Sequence, residues 1–339
     1  MSIIKGSRCS DTLVGTTGDD QIYGFSGNDR LYGLAGADRL FGGCGRDFLS
    51  GGAGNERLNG GGGCDVILGG KGNDTLWGGP GNDRLDGGGM GSTIDGGSGN
   101  DRIAYDVGGV NVYDYILYHN SSFHGGPGRD TLVVTNIAFT KDWSEGAAEN
   151  ALKPADILIW GGGHPDSPIS DMLMTIGSTA DTLEDLSGVD AFLYDIERIV
   201  IRSDASHKLI YMAGGPAPRP MTVVGGDGDD RFVTGPANEV LEGGKGNDTF
   251  WVSNNGHDRL ISNPDDADHF TFNSFDPSVA EIEGFNGQGR AGGDRIDFFG
   301  TDVTVTERAD GTTLFDWGNG QAIVDAVGLV ANQDYFLGV

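Results

Sequence analysis

One aliphatic side chain returns at every ninth position early in the chain: Leu13, Ile22, Leu31, Leu40, Leu49, Leu58, Ile67, Leu76, Leu85, Ile94 and Ile103. The residues between them are mostly polar or glycine, so no helical period of 3.6 residues develops. Strand side chains alternate in direction, so of the last three residues in each block only the aliphatic middle one points inward. The pattern predicts short strands linked by tight turns. Two blocks make one coil of 18 residues with a loop at each edge, and coils stack about 4.8 Å apart, as neighbouring strands do. Eleven blocks fill residues 6–104 without a break. The expected fold class is all-β, a parallel β-roll (β-solenoid).

The period stops in the tyrosine-rich stretch 105–124, and one good block follows at 125–133. Its Asp130 lies 29 residues after Asp101, which by count puts it out of phase with the array. The expected domains are an N-terminal roll at 1–104, a β-rich insertion at 105–221 holding that isolated repeat, a degenerate second array at 222–297 and a capping region at 298–339. Within the insertion, strands are predicted at 131–139, 156–160, 192–202 and 208–212, with a short helix near 144–152. The C-terminal end alternates strand-like segments at 294–299, 303–306, 312–315 and 322–325.

Glycine accounts for 62 of 339 residues. Such a share without a period would read as low complexity, but two registers, aliphatic and acidic, hold across the array, so the glycines are turn residues. Net charge is −28, which disfavours nucleic acid and anionic membranes as partners and favours cations. Residues 6–104 carry 13 acids against 8 bases, so the acidity is heaviest beyond the array. No run of 18 apolar residues exists, so no transmembrane segment is expected. Met1 to Gly6 lacks the length and apolarity of a cleavable signal peptide. Cys9, Cys44 and Cys64 are too few and odd in number for a disulfide framework, and free thiols are expected.

Position six of every block is Asp except at Glu56 and Ser92, as in Gly69-Gly70-Lys71-Gly72-Asn73-Asp74-Thr75-Leu76-Trp77. Glycine at positions one, two and four lets the backbone turn tightly and aim carbonyl oxygens at one spot. The aspartate adds a hard anionic oxygen, and Ca²⁺ takes six to eight such oxygens. This nonapeptide resembles the RTX family, the calcium-binding repeats of bacterial toxins, lipases and proteases exported by type I secretion. The resemblance implies sites completed by backbone oxygens of the glycine-rich loops and position-six carboxylates of adjacent loops on one edge. One edge is then Asp11, Asp29, Asp47, Asp65, Asp83 and Asp101, an unbroken column with room for about five Ca²⁺ ions. The other is Asp20, Asp38, Glu56, Asp74 and Ser92, where only the gap from Asp20 to Asp38 is intact. Glu56 is expected to weaken its two gaps, and Ser92, in a block where Met90 replaces a glycine, nearly to abolish its own. Loop glycines Gly27, Gly36, Gly45, Gly63, Gly72 and Gly81 join the implied ligand set. So do Asp130 and the pair Asp230 and Asp248, 18 apart; Glu239, Asp258, Asp268 and Asp294 sit at or near broken spacing. One aliphatic residue per block is a thin core for glycine-rich loops that are costly to order, so folding is expected to be coupled to calcium.

Asp334, followed by apolar residues in an acidic C-terminal stretch, is similar to the uncleaved type I secretion signal. The type I secretion machinery is therefore an expected partner and the extracellular space the expected location. Two function classes stay open. The first is a calcium-binding protein with a structural, adhesive or matrix role, in keeping with an array that begins at once after Met1 and leaves no room for an N-terminal enzyme. The second is a secreted polysaccharide-active enzyme or ligand-binding protein with its site in 105–221, drawing on His164, Asp166, Asp171 and His207. No His-Glu-x-x-His or Gly-x-Ser-x-Gly motif supports catalysis. Extracellular polysaccharide or a cell surface is the partner class considered. The outward aromatics Tyr23, Tyr32 and Phe41 read as ladder stacking, and Arg30, Arg39, Arg57, Arg84 and Arg102 as solvated charge balance.

Overall fold

The computed structural model describes residues 1–88, 91–106, 121–135, 156–161, 172–178, 191–194, 196–202, 209–213, 220–253, 256–273, 277–287, 293–300 and 303–337. Every regular element among them is a strand. The expected helix near 144–152 lies outside the described residues, as do His164, Asp166, Asp171 and His207. The chain divides into two units, Met1–Asp142 with Ser187–Ile199, and Trp143–Leu186 with Val200–Val339.

The first unit is a parallel β-roll. One sheet runs through Ser2–Lys5, Asp20–Ser26, Arg39–Cys44, Arg57–Gly62, Thr75–Pro80, Thr93–Ser98, Ser121–His124 and Ala191–Tyr194. The other runs through Thr12–Val14, Arg30–Ala35, Phe48–Ala53, Val66–Lys71, Arg84–Asp86, Arg102–Asp106 and Thr131–Thr135. Each strand pairs in parallel with the strand one coil on, in a register that puts Ile22 beside Leu40, Leu40 beside Leu58 and Leu31 beside Leu49. Position-eight side chains from Ile22 to Ile103 are therefore stacked and buried, none more than 1% exposed. Leu13, in the end coil, is half-buried.

Seven strands of the array run six residues, longer than the three expected. The ladder continues from position seven through position three of the next block, as in Arg39–Cys44. Glycine at position one allows this. A Cβ on Gly42 would stand 2.5 Å from both the Asp47 carboxylate and the Gly60 carbonyl of the next coil. At position two, Phe25 and Leu34 adopt the left-handed backbone (φ 78° and 81°) with exposed side chains. That conformation costs a side-chain-bearing residue about 1–2 kcal/mol. Tyr23 does stack on Phe41, at 5.0 Å and 7° between planes.

The block 125–133 corrects the phase count. Its strand Thr131–Thr135 pairs with Arg102–Asp106, Leu132 beside Ile103, so it is the next coil of the same roll. The strand before it, Ser121–His124, pairs in the same way with Thr93–Ser98, Phe123 beside Ile94.

In the second unit, one sheet orders Met172–Ser178, Asp156–Gly161, Leu209–Ala213, Arg231–Val233, Thr249–Val252, His269–Asn273, Arg295–Phe299 and Tyr335–Leu337. Only the first two pair antiparallel. The other sheet holds Thr222–Val224, Val240–Glu242, His257–Ile261, Val279–Glu283, Gln321–Val324, Thr313–Asp316 and Thr304–Glu307. Its last three strands form an antiparallel meander that ends the roll. The core here is aromatic: Phe232, Phe250 and Phe270 stack 4.9 Å apart, and Phe298 packs on Phe272 and Phe315. The C-terminal segment read as a secretion signal contributes an ordered strand, with Phe336 beside Asp297.

Candidate metal centres

The position-six aspartates of the first edge form one hydrogen-bonded column. The N–H of Asp11 donates to Asp29 Oδ1 at 2.7 Å. The same bond recurs from Asp29 to Asp47, Asp47 to Asp65, Asp65 to Asp83 and Asp83 to Asp101, each at 2.8 Å. Asp101 then donates to Asp130 Oδ1 at 2.7 Å, and Asp130 to Glu197 Oε2 at 2.7 Å. Glu197, 67 residues downstream, is a member that spacing did not reveal.

Using Oδ1 in this way leaves the second oxygen. Oδ2 of Asp29, Asp47, Asp65, Asp83 and Asp101 is buried and has no hydrogen-bond partner. Such an atom costs on the order of 1–3 kcal/mol, more when charged, unless something compensates it. Here it recurs in successive coils, so it is part of the design. Each oxygen lies against the position-one glycine of its own block and a carbonyl of the next coil. This all-oxygen environment, anionic and free of competing donors, fits Ca²⁺ and passes over softer metals.

Burial pushes these carboxylates upward. Asp47 rises to about 6 and Asp83 to about 7, in each case mainly by desolvation, with neighbouring aspartates adding to it. Asp65 and Asp101 also move up, by burial. At the N-terminal coil the balance reverses. The N–H of Thr16, with help from its hydroxyl and from Ser2, holds Asp20 down at about 2.

The second edge has the same scaffold with two faults. Asp20 donates to Asp38 Oδ1 at 2.8 Å, and Glu56 donates to Asp74 Oδ1 at 2.9 Å. Asp38 and Asp74 each keep a buried Oδ2 without a partner, whereas at Glu56 both carboxylate oxygens lack one. Burial first, then the Asp74 carboxylate, drives Glu56 upward, so it tends to hold a proton. Beyond it, Asp74 donates to the neutral Ser92 hydroxyl at 3.2 Å, and the run of charge ends.

A second ladder runs the opposite way. Position-five side chains accept the N–H of position five in the following coil: Asn28 from Arg46, Asn55 from Asn73, Asn82 from Asn100 and Asn100 from Arg129. Its signal was present as the recurrent Asn or Asp before the position-six acid. The implied glycines Gly27, Gly36, Gly45, Gly63, Gly72 and Gly81 all hold positive φ between 114° and 146° in these loops.

In the second unit the column survives broken spacing. Asp230 donates to Asp248 Oδ1 at 2.8 Å, Asp248 to Asp268 at 2.7 Å, and Asp268 to Asp294 at 2.8 Å. The separations are 18, 20 and 26 residues. Burial lifts Asp248 to about 9 and Asp268 to about 7. On the opposite edge Glu239 donates to Asp258 Oδ1 at 3.0 Å, and burial raises both carboxyls. All three cysteines are free and exposed. Among the described residues no helix is long and apolar enough to cross a membrane.

Comparison with protein families finds the RTX calcium-binding nonapeptide repeat (four copies) matching residues 10–40, 32–67, 60–89, 92–109 and 222–250. Among curated proteins none matches the chain.

Proposed function

We propose, from the premise that this chain carries RTX calcium-binding nonapeptide repeats, that it is an extracellular protein whose fold is assembled by Ca²⁺ and whose role is structural, adhesive or matrix-forming. The repeats bind several Ca²⁺ ions. In our reading the residues that hold them are Asp11, Asp29, Asp47, Asp65, Asp83, Asp101 and Asp130 on one edge, Asp20, Asp38 and Asp74 on the other, and Asp230 with Asp248 in the second unit. Carbonyl oxygens of loop glycines such as Gly27, Gly45, Gly63 and Gly81 complete the shell. The observation that carries this is the run of buried Oδ2 atoms without partners from Asp29 to Asp101. Bound calcium supplies positive charge between stacked carboxylates that otherwise repel and are poorly solvated.

The consequence for function is a switch. At low calcium the columns oppose stacking and the thin aliphatic core cannot offset the entropy of the loops. At millimolar calcium the coils close. A chain that stays open in a calcium-poor cell and folds outside suits the type I secretion machinery, which we propose as its export route. Extracellular polysaccharide or a cell surface is the proposed target.

The test is circular dichroism of the full chain at pH 7.5 in EDTA and in millimolar Ca²⁺, with bound calcium counted by equilibrium dialysis. A gain of β signal with several ions bound per chain is expected. Identical spectra would sink the proposal. Binding to polysaccharides or cells, compared in Ca²⁺ and in EDTA, tests the adhesive role.

A further inference from the structure

One outer sheet face of the first unit reverses the charge of the chain. In Ser2–Lys5, Asp20–Ser26, Arg39–Cys44, Arg57–Gly62 and Thr75–Pro80 the side chains flanking the buried aliphatic position point outward, and the pairing register lines them up in two rows. One row runs through Gln21, Arg39, Arg57 and Thr75, the other through Lys5, Tyr23, Phe41, Asn59 and Trp77. Neither row holds an acid, and Lys5, Arg39 and Arg57 are basic, in a chain of net charge −28.

Two features set this face apart from ordinary solvated strand surface. Arg39 and Arg57 stand side by side on neighbouring strands, both exposed. Like charges so placed repel, and among the described residues no carboxylate forms an ion pair with either. Beside them lies an aromatic strip. Tyr23 stacks on Phe41 at 5.0 Å and on Phe25 at 6.1 Å, with planes 7° and 20° apart, and Trp77 is 38% exposed further along the row. Phe25 joins the strip from a left-handed backbone that Gly43 and Gly61 adopt at the same place in the next two strands. The other sheet lacks this combination: Phe48 and Val66 separate Arg30 from Arg84, and Asp86 shares the face with Arg84.

We propose, resting on the reading of extracellular polysaccharide as the target, that this face is the binding site and that its ligand is a linear polymer of uronic acids. The exposed rings offer flat apolar surface to the C–H faces of sugar rings. Each arginine presents a planar fork that matches a carboxylate in two hydrogen bonds, and an anion between Arg39 and Arg57 relieves their repulsion. Strands repeat about every 4.8 Å, so the site is a straight track, which suits an extended polymer. Calcium acts here only by holding the coils in the stack that lines up the two rows.

The test is calorimetric titration of the full chain, in saturating Ca²⁺ at pH 7.5, with an oligogalacturonate too short to gel. Binding that weakens as NaCl is raised is expected. It should fall at least about tenfold when Arg39→Gln and Arg57→Gln are combined, and fall also in Phe41→Ala. Arg30→Gln with Arg84→Gln makes the same charge change on the other sheet and should bind as the unaltered chain does. Equal losses in the two double variants, equally tight binding of dextran sulfate, or no binding of the oligogalacturonate overturns the proposal. Binding of other polysaccharides or cells that survives Arg39→Gln with Arg57→Gln overturns it too, while leaving the adhesive reading intact. If that variant does not fold in Ca²⁺ by circular dichroism, Trp77→Ala decides: weaker binding supports the site, and unchanged binding overturns it.

Discussion

Gly62 and Gly63 are neighbours in one loop, yet they should respond oppositely to a methyl group. Gly63 has φ 141°, a conformation that side-chain-bearing residues rarely adopt, and a Cβ there would overlap the Gly45 carbonyl in the preceding coil. A Cβ on Gly62 would meet nothing within 4 Å. For Gly63→Ala the backbone strain costs about 1–3 kcal/mol. Relieving the overlap requires the coils to part at the loop, which strains the Gly45 N–H to Gly62 bond (2.8 Å) and the Gly63 N–H to Pro80 bond (2.9 Å). Each is worth about 0.5–1.5 kcal/mol. The expected loss is about 3–5 kcal/mol in all. Gly62→Ala should leave stability unchanged or raise it by up to about 1 kcal/mol, by restricting the unfolded chain. Urea unfolding of both variants in saturating Ca²⁺, followed by circular dichroism, reads the difference. Equal losses would refute the stacked-loop geometry, because composition and sequence position are nearly the same in the two variants.

Glu56→Asp should remove one of the second edge's two faults and raise the bound calcium by about one to two ions per chain, counted by equilibrium dialysis; an unchanged count would show that glutamate is not the fault. In the metal-free chain, burial raises Asp47 from 3.8 to about 6 and Asp83 from 3.8 to about 7. Stability from these groups is full below the unfolded value and is lost as pH rises through 6 and 7, so the EDTA-treated chain should gain β signal on acidification from pH 8 to pH 5. A loss of signal over that range contradicts the buried columns. Leu49, 0% exposed in the middle of the roll, should cost about 3 kcal/mol on truncation to alanine, read as a lower urea midpoint in Ca²⁺.

The roll itself was legible because two periods reinforce one another. Aliphatic position eight sets which way each strand faces, and acidic position six sets where each loop turns. What the spacing could not show was continuity across an insertion. Counting residues put Asp130 out of phase, but pairing depends on which backbone returns to the edge, and any number of residues can loop out between Asp101 and Asp130 without changing that register. The same blindness left Asp268 and Asp294 as broken spacing and hid Glu197 entirely, although each accepts an N–H from the preceding coil. A column defined by hydrogen bonds tolerates steps of 18, 20, 26, 29 and 67 residues; one defined by arithmetic tolerates only the first.

Position one explains why the repeat fades in the second unit. In the first unit every block from Gly6 to Gly96 begins with glycine, and the missing side chain leaves the space into which the position-six carboxylate folds. The second unit keeps that glycine for Asp230 and Asp248, at Gly225 and Gly243, but the blocks leading to Glu239 and Asp258 begin with Thr234, which is buried, and Ser253. Further on, strands His269–Asn273 and Arg295–Phe299 turn Phe272 and Phe298 inward two residues after Phe270 and Ile296. Space that a glycine would leave open for carboxylate and ion is filled by rings, each burying some 150–250 Å² and gaining about 0.5–1.5 kcal/mol more from stacking. The two units thus stabilise the same coil by different means, ionic where position one is glycine and apolar where it is not. Calcium dependence should therefore follow position one along the chain more closely than it follows the position-six acids, which continue through both units.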